Sequence, residues 1–250
     1  MTRSYALLGS GEFEPWSEEM DRWMLGRVAR PEGPVLILPT ASAPEGDEVF
    51  TRWADMGLRH FEGQGIASEV VPLKTREDAS RPDLVARLGK GSSVYFSGGN
   101  PAYLASVLAD TPFWRAVVDG IEDGLGYAGC SAGISALGEL APDSSVRDFT
   151  QDIWRLGLGL FPKVVFGPHW DMLDTYIPGL QTLLTAAVPL DHRLFAVDER
   201  TAAVGDGTEW SVIGLGRARL HDEGEWREWG PGDSFSVRLD GRDSAASDRT

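Results

Sequence analysis

The sequence contains little that would tie the chain to an oxidising compartment or a membrane. It has one cysteine in 250 residues, so no disulfide can form within the chain. No apolar run approaches the roughly 20 residues needed to span a bilayer. The short apolar run near residue 5 is directly followed by acidic residues, unlike the core of a secretion signal. We therefore expect a cytoplasmic protein, since thiols stay reduced there.

Positive charge is also scarce. The chain has 23 lysines and arginines against 38 aspartates and glutamates, for a net charge of -15. Nucleic acid and anionic membrane surfaces would be repelled, so we expect neither as a partner. No cluster of histidine, cysteine and carboxylate residues has the spacing of metal ligands. The Gly9-Ser10-Gly11 turn lacks the full dinucleotide fingerprint, so we expect no metal and no other cofactor.

Short apolar runs alternate with segments of helical character. The runs that read as buried strands are 5–9, 35–39, 69–73, 93–99, 163–167 and 194–199. The helical segments are 17–29, 47–61 and 101–124. This order predicts an α/β fold with an open, mostly parallel sheet and helices on both faces. Residues 202–229 have Gly-rich turns between short strands, which predicts antiparallel hairpins at the C-terminal end.

The chain shows no internal repeat and no low-complexity linker. We therefore predict a single α/β domain over residues 1–238. Residues 239–250 are polar and are predicted to form a frayed tail.

The stretch GYAGCSAGIS at 126–135 contains two adjacent nucleophiles, Cys130 and Ser131. A sharp strand-to-helix turn needs small residues two before and two after the nucleophile, because a Cβ there would collide with backbone. Centred on Ser131, these positions are Gly129 and Gly133, whereas centred on Cys130 they are alanines. The spacing therefore selects Ser131, with Cys130 as a buried neighbour.

A nucleophilic serine needs a base, and the base needs an orienting acid. Of the four histidines, His169 directly follows a predicted strand, which places it at the carboxyl edge of the sheet, where Ser131 is also expected. Asp198 and Glu199 end another apolar run. Adjacent strand residues point to opposite faces, so at most one of the two faces the site, and the pattern leaves the choice open.

Four landmarks in this order resemble the S51 serine peptidases, which include aspartyl dipeptidase (peptidase E) and cyanophycinase. They are Gly98-Gly99-Asn100, GCSAG at 129–133, GLGLFP at 157–162 leading to Pro168-His169-Trp170, and Asp198-Glu199 followed by Thr201-Ala202. The resemblance covers about residues 5–215. It implies a fold similar to class I glutamine amidotransferases, which is flavodoxin-like.

The resemblance implies a serine peptidase that hydrolyses short peptides through an acyl-enzyme. It assigns Ser131 as nucleophile, His169 as base and Glu199 as orienting acid. The backbone N–H groups of Gly99 and Ala132 become the oxyanion donors. A homodimer is a further expectation from the resemblance.

Three neighbouring residues are candidates for substrate contact: Asn100, Trp170 and Asp171. Trp170 could instead belong to the core. Asp148 and Asp152, between nucleophile and base, are weaker candidates to line the site.

The segment after His169 departs from the family. Peptidase E and cyanophycinase carry arginines there, in a stretch associated with acidic substrate groups, but residues 169–184 contain no arginine or lysine. Asp171 and Asp174 are present instead, as substrate contacts or as the acidic start of a helix. An aspartate substrate needs a cationic partner. If the enzyme prefers aspartate, the cation must therefore come from another part of the chain. Alternatively, the pocket favours a free amine or a basic side chain. Candidate cations are Arg147, Arg155 and Arg193.

Two other functions fit parts of the pattern. An α/β-hydrolase esterase uses the order serine, acid, histidine, which Ser131, Asp198 or Asp206, and His221 would satisfy. However, the chain lacks an HGGG-type oxyanion motif. A non-catalytic binding module of amidotransferase-like fold is the third possibility.

Overall fold

A computed structural model describes residues 3–146 and 153–239, and within them the chain forms three β-sheets and eight α-helices. The strands are β1 (Tyr5–Leu8), β2 (Val35–Leu38), β3 (Ser68–Val70), β4 (Ser93–Phe96), β5 (Gly126–Cys130), β6 (Leu140–Pro142), β7 (Trp154–Leu156), β8 (Val164–Gly167), β9 (Arg193–Val197), β10 (Thr201–Gly205), β11 (Glu209–Gly214), β12 (Ala218–Asp222), β13 (Glu225–Trp229) and β14 (Ser234–Ser236). The helices are α1 (Glu18–Leu25), α2 (Asp47–Gly63), α3 (Pro82–Leu88), α4 (Pro101–Leu108), α5 (Pro112–Glu122), α6 (Ala132–Ser135), α7 (Leu173–Tyr176) and α8 (Leu180–Ala187).

The large sheet has eight strands in the order β14-β11-β10-β1-β5-β4-β2-β3. The five strands from β1 to β3 in this order are parallel to one another, and β10, β11 and β14 are antiparallel additions. The predicted open, mostly parallel sheet is thus confirmed. The predicted C-terminal hairpins are confirmed as well, since β10 pairs with β11 and β12 with β13.

The central strands are buried on both faces, which explains their unbroken apolar runs. Successive residues of β1 pack into hydrophobic cores on opposite faces of the sheet. Leu7 packs with side chains of α3, α4 and α5, whereas Leu8 packs with side chains of α1 and α2. Helices therefore cover both faces, as predicted.

One part of the sheet prediction was wrong. The strands expected at 163–167 and 194–199 do not join the large sheet but lie side by side, as β8 and β9, in a four-stranded sheet with β12 and β13. The antiparallel β10 occupies the edge of β1 that they would have used. Phe166 and Phe195 still pack into the core of the large sheet. An unbroken apolar run predicts a strand that is buried on both faces, but it does not tell to which sheet the strand belongs.

The helix predicted over 101–124 is two helices. Pro112 begins α5, and the Oγ1 atom of Thr111 accepts a hydrogen bond from the N–H of Trp114 at 3.2 Å. Proline at a first helical position and a threonine cap are start signals that end the preceding helix.

The described part of the chain ends in the core. Leu239 is fully buried and its N–H donates to the Gly207 carbonyl at 3.0 Å, so ordered packing extends one residue beyond the predicted boundary at 238. Residues 240–250 of the predicted tail lie outside the described residues, as do Arg147, Asp148 and Asp152. No helix within the described ranges has the length and apolar content needed to cross a membrane.

A buried ion pair joins the end of β9 to β12. Asp198 is 4% exposed and accepts the N–H of Arg217 at 2.8 Å, and its second oxygen pairs with the guanidinium of Arg219. Arg219 also donates to Glu228 at 3.1 Å. The pair fixes the backbone immediately before Glu199.

Replacing Arg219 by methionine should therefore destabilise the fold. Arg219→Met leaves the buried Asp198 carboxylate with its backbone donor alone, and removing one partner of a buried pair costs about 3 kcal/mol in the free energy of unfolding. Urea denaturation measures the change. The matched control is Arg217→Met, because the Arg217 side chain is 54% exposed and its Nη1 atom lies 3.8 Å from Glu228. That change should cost about 1 kcal/mol or less. Equal losses would contradict the special role of the buried pair.

Candidate active site

The turn between β5 and α6 holds Ser131 in a strained backbone conformation. Its φ and ψ are 51° and -104°, a region that costs a non-glycine residue about 1–3 kcal/mol. A Cβ at Gly129 would lie 2.6 Å from the Gly133 carbonyl oxygen, and one at Gly133 would lie 2.5 Å from the Phe96 carbonyl oxygen. The steric requirement expected from the sequence is present at both flanks.

Three predicted side chains form one hydrogen-bonded row. The Oγ atom of Ser131 lies 2.8 Å from Nε2 of His169, and Nδ1 of His169 lies 3.1 Å from Oε1 of Glu199. His169 follows β8 and has a left-handed φ of 54°, which turns its ring back toward β5. Both distances lie within the range of about 2.6–3.2 Å that joins a nucleophile, a base and its orienting group.

The structure separates the two adjacent acids at the end of β9. Glu199 faces His169, whereas Asp198 faces the opposite way and pairs with Arg219. This agrees with the expectation from strand alternation that at most one of the two acids faces the site.

Two further side chains hold Glu199, and sequence reasoning missed the first of them. The hydroxyl of Tyr176, in α7, donates to Oε1 of Glu199 at 2.6 Å. Asp171, expected as a substrate contact, accepts the backbone N–H of Glu199 at 2.8 Å. Asp174 accepts the N–H of Gln181, near the start of α8, at 2.8 Å. Both aspartates therefore organise the polypeptide around the row.

These contacts keep Glu199 ionised. Partial burial would raise the pKa of Glu199, but the hydrogen bonds from Tyr176 and His169 outweigh it and hold the pKa below the ordinary value of 4.5. The same hydrogen bond to Glu199, with partial burial, raises the pKa of Tyr176 to about 12. At neutral pH the phenol is a donor and the carboxylate is an acceptor.

The loop Gly98-Gly99-Asn100 lies against the nucleophile turn. Gly99 has a φ of 142°, and a Cβ there would lie 2.3 Å from the backbone of Ala41, so only glycine fits. The Cβ position of Gly98 is 3.7 Å from Cβ of Ser131. Among the described residues, nothing accepts a hydrogen bond from the backbone N–H of Gly99 or Ala132. Two backbone donors are thus free beside Ser131.

A buried carboxylate lies beneath this loop, and sequence reasoning missed it. Glu12 is 5% exposed and accepts the N–H of Gly98 at 2.9 Å and the thiol of Cys130 at 2.8 Å. Complete burial, with the neighbouring Glu12, raises the pKa of Cys130 well above its ordinary value. Cys130 is therefore held as a neutral, inaccessible thiol.

A cavity of about 400 Å³ opens beside Ser131, His169 and Gly99, and we call it the Ser131 cavity. Trp170, 5% exposed, forms part of its wall and packs against Trp226 with ring centroids 5.2 Å apart. Asn100 caps α4 by accepting the N–H of Tyr103 at 3.0 Å.

The residues of the esterase alternative do not assemble. His221 lines a separate depression of about 670 Å³ on the far side of Trp170. Asp198 is engaged by Arg219, and Asp206 accepts backbone N–H groups of its own turn from Thr208 and Glu209. As for metals, no group of three or more histidine, cysteine, aspartate or glutamate residues in the described part of the chain could hold an ion.

Several curated proteins are similar to this chain. A cyanophycinase from Nostoc sp. (strain PCC 7120) is 28% identical over 232 residues, covering 88% of this chain and 73% of the relative. A cyanophycinase from Geminocystis herdmanii is 26% identical over 198 residues, covering 75% of this chain and 69% of the relative.

Solved structures show the same architecture. A peptidase from an acI-B1 Actinobacterium superposes with a TM-score of 0.83 at 29% identity, covering 95% of this chain and 98% of the other. A putative peptidase E protein from Listeria monocytogenes EGD-e shares the fold, with a TM-score of 0.59 at 19% identity and coverage of 86% and 100%. The sequence model of peptidase family S51 matches residues 5–213. The chain therefore belongs to peptidase family S51.

Proposed function

We propose that this protein is a serine peptidase that hydrolyses short peptides, as a dipeptidase or exopeptidase, through a Ser131–His169–Glu199 triad. The observation that carries the proposal is the continuous hydrogen-bonded row from Ser131 to Glu199, which borders a cavity and two free backbone donors. Family membership supports the peptidase class.

The first step is acylation. His169 takes the proton of the Ser131 hydroxyl at Nε2 while the Oγ atom attacks the peptide carbonyl. Glu199 accepts from Nδ1 of His169, so it fixes the tautomer that leaves Nε2 free as the base. It also stabilises the imidazolium that forms. The low pKa of Glu199 suits this role, because the carboxylate stays charged throughout.

The N–H groups of Gly99 and Ala132 hold the oxyanion. Each such donor is worth about 3–4 kcal/mol in the transition state. The strained turn at Ser131 aims its Oγ atom and the following N–H at the same carbonyl. His169 then protonates the leaving amine, and water, activated by the same imidazole, resolves the acyl-enzyme.

Replacing Ser131 by alanine should abolish cleavage of a short-peptide library. The loss in kcat should be at least roughly 10⁴-fold, because the triad acts as a unit. Mass spectrometry of the products measures it. Cys130→Ala should retain most activity, since that thiol is buried and protonated. Cleavage that survives Ser131→Ala would contradict the proposal. If neither the wild type nor any variant cleaves peptides, the non-catalytic module becomes the better interpretation.

Removing the Tyr176 hydroxyl should weaken catalysis without abolishing it. Tyr176→Phe deletes one hydrogen bond that orients Glu199, so kcat should fall roughly 3- to 10-fold, equivalent to a net hydrogen bond of about 1 kcal/mol. The matched control is Tyr103→Phe, whose hydroxyl donates to the Lys74 carbonyl away from the site. An unchanged kcat in Tyr176→Phe would contradict the positioning role.

The pKa shifts of Glu199 and Tyr176 predict how the loss of kcat in Tyr176→Phe depends on pH. A carboxylate whose folded pKa is lowered stabilises the fold above its unfolded pKa, near 4.5, and loses that contribution as pH falls through the folded value. Tyr176 keeps its proton up to a pKa of about 12. Between about pH 5 and pH 10, Glu199 is ionised and Tyr176 is protonated, so the hydrogen bond between them does not change. The ratio of wild-type to Tyr176→Phe kcat should therefore be constant over that range.

A further inference from the structure

The Ser131 cavity has apolar walls. Most of its lining comes from aliphatic and aromatic side chains on β8, β9, α7, α8 and the chain around β7. Representative members are Ile153, Phe166, Leu173, Leu180, Leu184 and Val188. Its volume, about 400 Å³, falls in the range of roughly 300–1,000 Å³ that proteins use for small ligands.

No lysine or arginine is present among the described residues that line the cavity. The described arginines nearby already have partners or lie away from the cavity. Arg155 lies 3.6 Å from Asp143 and is 46% exposed, and Arg200 pairs with Glu14 at 2.9 Å. Arg193 begins β9, at the end of the strand opposite to the catalytic row. An acidic side chain in this cavity would lose its water without gaining a counter-ion from the described lining residues, which is strongly unfavourable.

The cavity offers a basic side chain little either. Asp143 is the sole carboxylate among the described lining residues. Its Oδ1 atom accepts from the N–H and the hydroxyl of Ser145 at 3.0 and 2.6 Å, and from Asn100 at 3.4 Å, while Oδ2 faces Arg155. The hydrogen bonds from Ser145, followed by weaker contributions from Asn100 and Arg155, lower the pKa of Asp143. The Asp143 carboxylate therefore stays ionised, and its two oxygens are already engaged by Ser145, Asn100 and Arg155.

We infer that the Ser131 cavity is a specificity pocket for a large apolar side chain next to the scissile bond. The substrates are then short peptides with an apolar residue at that position, rather than peptides cleaved beside aspartate or arginine. This inference rests on the proposed peptidase function. It also explains the segment after His169: without an acidic substrate group to bind, α7 and α8 supply leucines where a cation would otherwise be needed.

A matched dipeptide panel tests the inference on the purified full chain. The panel is Leu, Phe, Asp or Arg paired with Ala, in both orders. Leu and Phe should exceed Asp and Arg in kcat/KM by about 100-fold or more in one order. The described lining offers Asp no cation, and it offers Arg only a carboxylate that already has partners. That order tells whether the pocket holds the acyl or the leaving side. Asp or Arg equal to Leu in both orders would overturn the inference.

Labelling with a fluorophosphonate distinguishes a failure of the pocket inference from a failure of the proposed peptidase function. Labelling that depends on Ser131, together with no apolar preference or no cleavage of any apolar dipeptide, would overturn the pocket and leave the nucleophile standing. Failure of both labelling and cleavage would overturn the proposed function itself, and the inference with it.

A charge placed inside the cavity gives a second test. Leu184→Arg introduces a guanidinium at a lining position of α8, whereas the control Leu183→Arg adds the same charge at its 40% exposed neighbour outside the lining. Leu184→Arg should lower kcat/KM for the Leu peptide about tenfold or more and raise it for the Asp peptide, and the control should leave both within about twofold. Equal effects of the two variants would overturn the inference.

If Leu184→Arg fails to fold, Ile177→Arg carries the same test. Ile177 also lines the cavity and is 43% exposed, so a charged side chain is tolerated there. The expected shift toward the Asp peptide is in the same direction, and its absence would overturn the inference.

Discussion

The left-handed backbone of Ser131 is the constraint on which the site depends. That conformation turns the chain sharply from β5 into α6, brings the Oγ atom to His169 and leaves the next N–H without an acceptor among the described residues. It exists because no Cβ occupies Gly129 or Gly133, where one would overlap neighbouring backbone. The buried Glu12 braces the same region, since it ties the Gly98 N–H to the thiol beside the turn. A strained residue held in this way is pre-organised, and its energy is paid by the surrounding packing.

The remaining groups reach this turn from a second sheet. β8 and β9 are parallel neighbours, so their carboxyl ends deliver His169 and Glu199 to one place. The ion pair of Asp198 and Arg219 fixes the end of β9, and Tyr176 and Asp171 fix the acid itself. Despite the net charge of -15, Asp143 is the sole carboxylate among the described residues that line the Ser131 cavity, and most of that lining is apolar. Acidic residues near the site orient other protein groups, which is consistent with an uncharged substrate side chain.

Much of the fold and part of this site could be predicted from the sequence. The glycine spacing around Ser131 reports a steric requirement of the local backbone, and His169 was found by its place after an apolar run. The choice of Glu199 over Asp198 came from the family resemblance, because alternation along a strand does not say which face is the site. Tyr176 and Glu12 left no signal, since their partners are 23 and 86 residues away in sequence. The second sheet was missed because β8 and β9 are as apolar as the central strands.

We propose that the Ser131 Oγ atom is the nucleophile and that His169 activates it. The most direct measurement is mass spectrometric mapping of the residue modified by a fluorophosphonate, with time courses for the wild type and His169→Ala. We expect a single adduct on Ser131 that forms in step with loss of peptidase activity and forms far more slowly in His169→Ala. An inactivating adduct on Cys130 or on another residue, or equal labelling rates in the two proteins, would contradict it.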